Sequence, residues 1–148
     1  MVDIKDYNLP LLDEAIPASM HQYMNDHTIK WAEKIDSLDA FIFVTPEFNH
    51  APTGALINAL DYVYAEWNNK AACFVSYGST GGFRAVEHFR LIMGELQAAD
   101  VKTQVARSLF TDVENFSIFK PREFQEPSLQ AMIDQVVLWG EALKTVRK

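Results

Sequence analysis

The chain has 148 residues, of which 49% are hydrophobic and 22% charged, and its formal net charge is -7. This apolar content suffices for one globular core and excludes intrinsic disorder, which goes with a shortage of bulky apolar side chains. No apolar run approaches the roughly 18–20 residues that span a bilayer, so we expect no membrane partner. No Lys/Arg cluster precedes the basic tail at residues 144–148, which argues against a nucleic-acid partner.

Signals of cellular location are sparse in this sequence. The first ten residues, MVDIKDYNLP, lack both a basic region and an apolar core, so no secretory signal is visible. The single cysteine, Cys73, excludes an intrachain disulfide and favours a cytoplasmic location. Since no internal repeat, low-complexity tract or linker is present, we predict a single domain over residues 1–148.

The first half of the chain contains alternating strand and helix patterns. Val2 to Tyr7 alternates apolar and polar residues, which predicts a short edge strand. Apolar residues one turn apart predict a helix from Thr28 to Leu38. The continuous apolar run from Ala40 to Val44 predicts a strand that is covered on both faces. A loop from Pro46 to Pro52 and a helix from Thr53 to Trp67 are predicted to follow.

The second half repeats this alternation. Ala71 to Tyr77 predicts a second buried strand, which a glycine-rich loop joins to a helix from Phe83 to Ala98. A more polar strand is predicted from Val101 to Ala106, and a long loop follows it. The last helix is predicted to begin at an N-cap, Ser128, and to reach Val146. This order, with one unit per roughly 30–35 residues, predicts a parallel sheet with helices on both faces.

Two unusual loops follow predicted strands, at the edge where open parallel sheets bind ligands. The first runs from Thr45 to Gly54, and the second, GSTGG, covers residues 78–82 and holds three of the six glycines. Glycine permits positive φ and a close approach of backbone to a ligand, and amides at the next helix can meet ligand oxygens. Tight turns between strand and helix also need glycine, so GSTGG alone leaves ligand binding open.

The first loop carries a family resemblance. Residues 44–61, VTPEFNHAPTGALINALD, resemble the signature of NADPH-dependent FMN reductases, in which a strand precedes T-P-E-Y-N, a small residue, proline and a helix carrying K-N-A-x-D. Residues 77–82, YGSTGG, resemble the third flavin loop of that family, and residues 6–11, DYNLPL, resemble its segment after strand two. The family consists of flavodoxin-like flavoproteins that include azoreductase-like members and members reducing quinones or chromate.

The resemblance implies a flavodoxin-like α/β fold with three α/β/α layers and an oxidoreductase activity. FMN would accept hydride from NAD(P)H and pass electrons to a small-molecule acceptor of quinone, azo or metal type. By resemblance, the cofactor-binding residues are Pro46, Glu47, Phe48 and Asn49 beside the flavin ring, and Gly78, Ser79, Thr80, Gly81 and Gly82 at its pyrimidine edge. The resemblance assigns no residue a catalytic role, and no metal site is predicted.

The sequence departs from the family pattern in one major respect. The family begins with a strand, a Ser- and Arg-containing phosphate loop and a helix, whereas this chain begins at what resembles strand two. No candidate phosphate loop precedes Ala40, so the FMN phosphate has no obvious partner. Two milder departures are Phe48, where the family commonly has Tyr, and Ile57, where it commonly has Lys.

Three explanations of this missing first βα unit stay open: a lost N-terminal segment, a natural short form that borrows a strand or closes its sheet, and a remnant that no longer binds FMN. Absence of a central strand leaves neighbouring strand edges unpaired, which favours aggregation unless another contact covers them. We therefore predict a homodimer or homotetramer, which Trp67 also suggests. The alternative function is a non-catalytic flavodoxin-like protein that acts through assembly, and a flavodoxin-type electron carrier is a third.

Individual residues near the loops allow two interpretations each. For Glu47, capping of nearby amides is favoured over catalysis. Asn49 is either a flavin contact or a turn residue, since Asn readily bonds its own backbone. His50 contacts flavin or a partner subunit, or is an exposed loop residue. Cys73 is predicted to be inert packing within its strand. Packing is favoured over an acceptor site for the aromatic residues of the long loop, which are Phe110, Phe116, Phe119 and Phe124.

Overall fold

Four parallel strands form the central sheet of the structure, a computed structural model that describes residues 1–147 apart from the Phe124 side chain. The strands are β1 (Ala40–Pro46), β2 (Ala71–Gly78), β3 (Ala99–Asp100) and β4 (Val105–Ser108). β2 is central, with β1 on one side and both β3 and β4 on the other.

Helices cover both faces of this sheet. They are α1 (Asp26–Asp36), α2 (Gly54–Asp61), α3 (Phe83–Glu95) and α4 (Glu126–Leu143), and a hairpin of β5 (Val113–Glu114) and β6 (Ile118–Phe119) precedes α4. Successive strand residues point to opposite faces. Accordingly, Phe74 packs with α1, α2 and α3, whereas Cys73 packs with Met132 and Val136 of α4. This confirms the predicted three-layer fold.

β1 lies at an edge of the sheet, because β2 is its one strand partner within residues 1–147. Phe41 and Phe43 are buried on one face of β1, whereas Ile42 and Val44 on the other face are 48% and 63% exposed. The prediction of a strand covered on both faces is therefore wrong. An apolar cavity of about 510 Å³ runs along β1 and is also lined by residues 1, 2 and 4.

The predicted N-terminal edge strand is absent, and Ile4–Tyr7 form a 3₁₀ helix instead. The Asp3 carboxylate accepts a hydrogen bond from the Lys5 amide at 3.1 Å, and Asn8 ends the turn in the left-handed conformation. These local bonds satisfy the backbone without a sheet partner. Ile4 and Tyr7, three residues apart, then lie together against the core.

The helix predicted from Thr53 to Trp67 is interrupted. α2 ends at Asp61, and Ala65–Trp67 form a separate 3₁₀ turn. The break turns Trp67 into the core, where its indole Nε1 donates to the Leu60 carbonyl oxygen at 3.3 Å. A tryptophan that is buried in its own core is not available to a second subunit, so the suggestion that Trp67 supports oligomerisation is wrong.

The predicted fourth strand and last helix also differ in their bounds. β3 and β4 replace a single strand because Arg90 of α3 donates to the carbonyl oxygens of Val101 and Lys102, at 3.0 and 3.1 Å, between them. Those carbonyl oxygens are therefore satisfied outside the sheet ladder. α4 begins at Glu126 with proline in its first turn, so the N-cap assigned to Ser128 is wrong.

Candidate functional site

Two loops lie side by side at the carboxyl edge of the sheet. Pro46 is the last residue of β1 and Gly78 the last residue of the adjacent, parallel β2. The Glu47 amide donates to the Tyr77 carbonyl oxygen at 2.9 Å, which carries the pairing one residue beyond β1. Residues 47–53 are called the first loop below, and residues 79–82 the second loop. The structure thus brings together the two segments that the sequence singled out.

The first loop is a tight turn. The amide of Phe48 donates to the Ala51 carbonyl oxygen, and the Ala51 amide donates back to Phe48, each at 3.0 Å. Asn49 and His50 lie between them in the left-handed region, with φ of 50° and 67°. This gives Asn49 the turn position that was one of its two predicted roles. The Phe48 ring stays exposed beside the turn.

Glycine is required in the second loop by conformation and by space. Gly81 and Gly82 have φ of 84° and 77°, a region that other residues rarely adopt. A Cβ atom on Gly82 would lie 2.7 Å from the Cβ atom of Ser76. The buried Ser76 hydroxyl donates to the Gly81 carbonyl oxygen at 2.7 Å and so ties the turn to β2. These contacts account for the glycines on structural grounds, beside any role in binding.

Both loops offer backbone donors to a ligand. Ser79 and Thr80 are exposed, and within the described part of the chain their amides find no acceptor. The same holds for the amides of Asn49 and His50 at the tip of the first loop. Amides that point outward from a turn suit carbonyl or anionic oxygens of a ligand. The donor set therefore suits oxygen or nitrogen acceptors of a ligand.

Glu47 links the first loop to α3. Its side chain is 5% exposed, and its carboxylate accepts from the backbone amides of Arg84 and Ala85 at 3.1 and 3.4 Å. The Arg84 guanidinium also pairs with it. Burial opposes the charge, but these hydrogen bonds outweigh it and hold the pKa of Glu47 below its usual value. The interpretation of Glu47 as a cap for nearby amides is therefore confirmed.

Arg84 is the residue of this site that the sequence did not single out. It lies in the first turn of α3, two residues after Gly82, and its guanidinium reaches both loops: Nη1 lies 2.7 Å from His50 Nε2, and Nη2 lies 3.3 Å from Thr80 Oγ1. The one sequence signal that could have found it is its position just after a glycine-rich turn. His50 is thus tied to α3 by this contact.

The remaining candidates have structural positions of different kinds. Cys73 is fully buried, and burial raises the pKa of its thiol to about 12, so it is inert packing as predicted. Phe110, Phe116 and Phe119 are exposed, so the packing interpretation is wrong for them, and the Phe124 side chain lies outside the described residues. Across residues 1–147, His, Cys, Asp and Glu side chains form no group of three or more suited to a metal ion.

The strand order, the helices on both faces and a pair of loops at the carboxyl edge define a flavodoxin-like α/β protein. Among solved structures, the flavoenzyme NAD(P)H:(acceptor) oxidoreductase FerB from Paracoccus denitrificans has the same fold, with a TM-score of 0.70 at 20% identity, over 94% of this chain and 78% of that one. A family model described as NADPH-dependent FMN reductase matches residues 1–112. The chain belongs to this family, which implies FMN as cofactor and NAD(P)H as co-substrate.

Curated relatives include fungal and bacterial reductases. The chain is 36% identical to an NAD(P)H-dependent FMN reductase of Nectria sp over 95% of its length, and 37% identical to one of Schizosaccharomyces pombe over 75%. It is 33% identical to a quinone reductase of Pseudomonas putida over 99% of its length. The chain spans 69%, 56% and 80% of the respective lengths of these relatives. No helix within residues 1–147 is long and apolar enough to cross a membrane.

Proposed function

We propose that the protein is an NAD(P)H-dependent FMN reductase that passes hydride equivalents through FMN to a quinone-type acceptor. The observation that carries the proposal is the pair of loops at the carboxyl edge of the sheet, with free backbone donors on both. Family membership supports the cofactor, and the names of the relatives, FMN reductases and a quinone reductase, support the reaction class. FMN supplies the redox chemistry, and the chain supplies binding and orientation.

The proposed cofactor-binding residues are those of the two loops together with Pro46 and Gly78, which precede them. Pro46, Glu47, Phe48 and Asn49 would flank the ring, and Gly78, Ser79, Thr80, Gly81 and Gly82 would line its pyrimidine edge, where Ser79 and Thr80 offer free amides. That edge gains negative charge when flavin is reduced, so fixed amide donors stabilise the reduced state. The exposed rings of Phe48, Tyr77 and Phe83 lie on or beside these loops and give an apolar approach for an aromatic acceptor. No side chain is assigned a catalytic acid or base.

The phosphate of FMN is the part of the cofactor that these loops do not accommodate. A phosphate monoester needs cationic or several amide donors in addition to those that the ring would engage. Arg84 is a cation that contacts both loops, and it is engaged with Glu47. This favours a second candidate, a flavodoxin-like protein without catalytic activity that acts through assembly. Binding of FMN separates the two candidates.

The experiment is a titration of the purified protein with FMN, followed by NADH or NADPH oxidation with benzoquinone as acceptor. A yellow complex, a rise in melting temperature with FMN and flavin-dependent oxidation of NAD(P)H support the reductase. Riboflavin, which lacks the phosphate, is the matched ligand control: equal affinity for both ligands shows that the phosphate contributes nothing to binding. A colourless protein whose melting temperature is unchanged at excess FMN contradicts the reductase and supports the assembly function.

Self-association is part of the proposal, as a homodimer or homotetramer. It is supported by the unpaired edge of β1 and by the exposed aromatic side chains of the segment between β4 and α4, which are Phe110, Phe116 and Phe119. Unpaired strand edges and exposed apolar patches commonly mark contact surfaces. Sedimentation as a clean monomer at micromolar concentration contradicts it. We also propose a single domain and a cytoplasmic location, the latter supported by the lone buried thiol.

A further inference from the structure

A cluster of four polar side chains joins the two loops to α3. Arg84 is at its centre, and Glu47, His50 and Thr80 surround the guanidinium. Glu47 and His50 belong to the first loop and Thr80 to the second, while Arg84 itself belongs to the helix. This group is called the Arg84 clamp. Its members therefore come from three separate segments of the chain that meet at the carboxyl edge of the sheet.

The chemistry of the guanidinium determines the state of its neighbours. Arginine has N–H donors and no acceptor. In the contact of 2.7 Å between Arg84 Nη1 and His50 Nε2, the histidine nitrogen must therefore accept, which places the ring proton on Nδ1. Glu47 accepts at the same time from the guanidinium and from the backbone amide of Arg84. Each loop is thus held by a donor whose direction the planar fork fixes.

The two sides of the clamp differ in exposure. The Glu47 side chain is 5% exposed and that of Arg84 is 43% exposed. A carboxylate as buried as that of Glu47 needs its partners, and the backbone amides of Arg84 and Ala85 remain even when the guanidinium is removed. The guanidinium itself faces the solvent side of the loops. Its loss therefore frees the tips of the loops while the cap on α3 persists.

We propose that Arg84 is a positioning residue for the flavin ring, which sets the distance and orientation between the two loops and so aligns their free amides. This inference rests on the proposed function, because the aligned amides are those of Asn49, His50, Ser79 and Thr80. Misplacement by about 1 Å can cost on the order of 100-fold in the rate of a well-ordered catalytic site, and we take this as the upper bound for the loss of affinity when binding groups are misplaced. Removal of the fork therefore weakens FMN binding by roughly 10- to 100-fold.

A charge role and a positioning role make different predictions for Arg84→Lys. Lysine preserves the positive charge beside Glu47, but its single ammonium group cannot reach Glu47, His50 and Thr80 together in fixed directions. If Arg84 acted only as a counter-charge, the lysine variant would restore binding. If Arg84 positions the loops, the lysine variant resembles Arg84→Gln. The pair of variants therefore isolates the geometry of the fork from its charge.

The experiment measures the dissociation constant of FMN by quenching of flavin fluorescence for wild type, Arg84→Lys and Arg84→Gln. Arg90→Lys is the matched control, since Arg90 lies on the same helix and bonds the carbonyl oxygens of Val101 and Lys102, away from the loops. Both Arg84 variants are expected to bind FMN about 10- to 100-fold more weakly, and the control within about threefold of wild type. Wild-type affinity in Arg84→Lys overturns the proposal.

A second measurement needs no FMN and separates this inference from the proposed function. Hydrogen exchange of the ligand-free proteins reports how firmly the loops are held. The hydrogen-bonded amides of Phe48, Ala51 and Gly81 are expected to exchange at least about tenfold faster in both Arg84 variants, with α4 unchanged. If wild type binds no FMN, the proposed function fails, and the exchange data still decide whether the clamp orders the loops. The positioning role is overturned if exchange becomes faster throughout the chain, or if the exchange rates of the loop amides do not change.

Discussion

Substitution of Gly82 by alanine tests the geometry of the second loop most directly. Gly82 has a φ of 77°, and an alanine in the left-handed region costs about 1–2 kcal/mol. The added Cβ atom would also lie 2.7 Å from Ser76 Cβ and 3.0 Å from the Tyr77 nitrogen, both in or beside a buried strand. The shifts that such overpacking forces on the neighbouring atoms cost about 1–3 kcal/mol of stability.

Together these effects lower the free energy of unfolding by roughly 2–5 kcal/mol, out of the 5–15 kcal/mol typical of a domain. For a chain of this size, that corresponds to a fall in melting temperature of roughly 4–20 °C. The assay is urea unfolding followed by far-ultraviolet circular dichroism at 25 °C, because the linear extrapolation gives the free energy directly and its slope reports whether unfolding stays cooperative.

Gly94→Ala is the matched control for Gly82→Ala. Gly94 lies in the last turn of α3, and a Cβ atom there would meet no heavy atom within 4 Å. Alanine is favoured over glycine at helical positions by up to about 1 kcal/mol, so this variant is expected to be at least as stable as wild type. Replacement of glycine by alanine is thus expected to have opposite effects on stability at the two ends of α3. A Gly82→Ala protein within about 0.5 kcal/mol of wild type refutes the argument from conformation and contact.

Three further predictions concern buried polar groups and the thiol. The pKa of Glu47 is lower in the folded protein than its usual value of 4.5, so the ionised carboxylate stabilises the fold above that pH and this stability is lost as the pH falls through the folded value. The free energy of unfolding of wild type should therefore fall more steeply from pH 5 to pH 3 than that of Glu47→Gln. Equal slopes for the two proteins contradict this. Cys73 should resist Ellman's reagent until urea unfolds the protein, since burial raises its pKa to about 12, and rapid labelling of the folded protein would show an opening that the packing does not predict. Asp112→Ala removes a buried carboxylate that accepts from the Ser108 amide at 2.8 Å and pairs with Arg122. The free energy of unfolding is expected to fall by about 2–4 kcal/mol, and proteolysis between residues 113 and 122 is expected to become faster. An unchanged digest would mean that other contacts hold the hairpin.

The sequence predicts the repetitive parts of this fold well, because a buried strand and an amphipathic helix each leave a regular pattern. The strands beginning at Ala40 and Ala71 follow from continuous apolar runs, and their loops follow from the ends of those runs. The N-terminal segment shows the limit of that reasoning. Its alternation fits a strand, but the local hydrogen bond from the Lys5 amide to the Asp3 carboxylate favours a 3₁₀ turn.

Contacts between residues that are distant in the sequence cannot be predicted from the periodicity of helices and strands. Nothing in the helical periodicity before Trp67 shows that its indole bonds the Leu60 carbonyl oxygen, which ends α2 early. Arg84 was missed for the same reason. Its partner Glu47 is 37 residues away, and only the parallel pairing of β1 and β2 brings the two together. The sequence does predict that both loops lie at the same edge of the sheet, because that prediction needs only the direction of the strands.

The layer formed by α4 has a consequence for how the chain is made. Ala71 and Cys73 lie in the core that α4 covers, yet 65 residues separate the end of β2 at Gly78 from the end of α4 at Leu143. At synthesis rates of roughly 5–20 residues per second, these residues emerge about 3–13 s later. During that interval the nascent sheet presents one bare apolar face. Chaperone contact on the ribosome is therefore expected at β2, and it should end when Met132 and Val136 of α4 pack against Ala71 and Cys73.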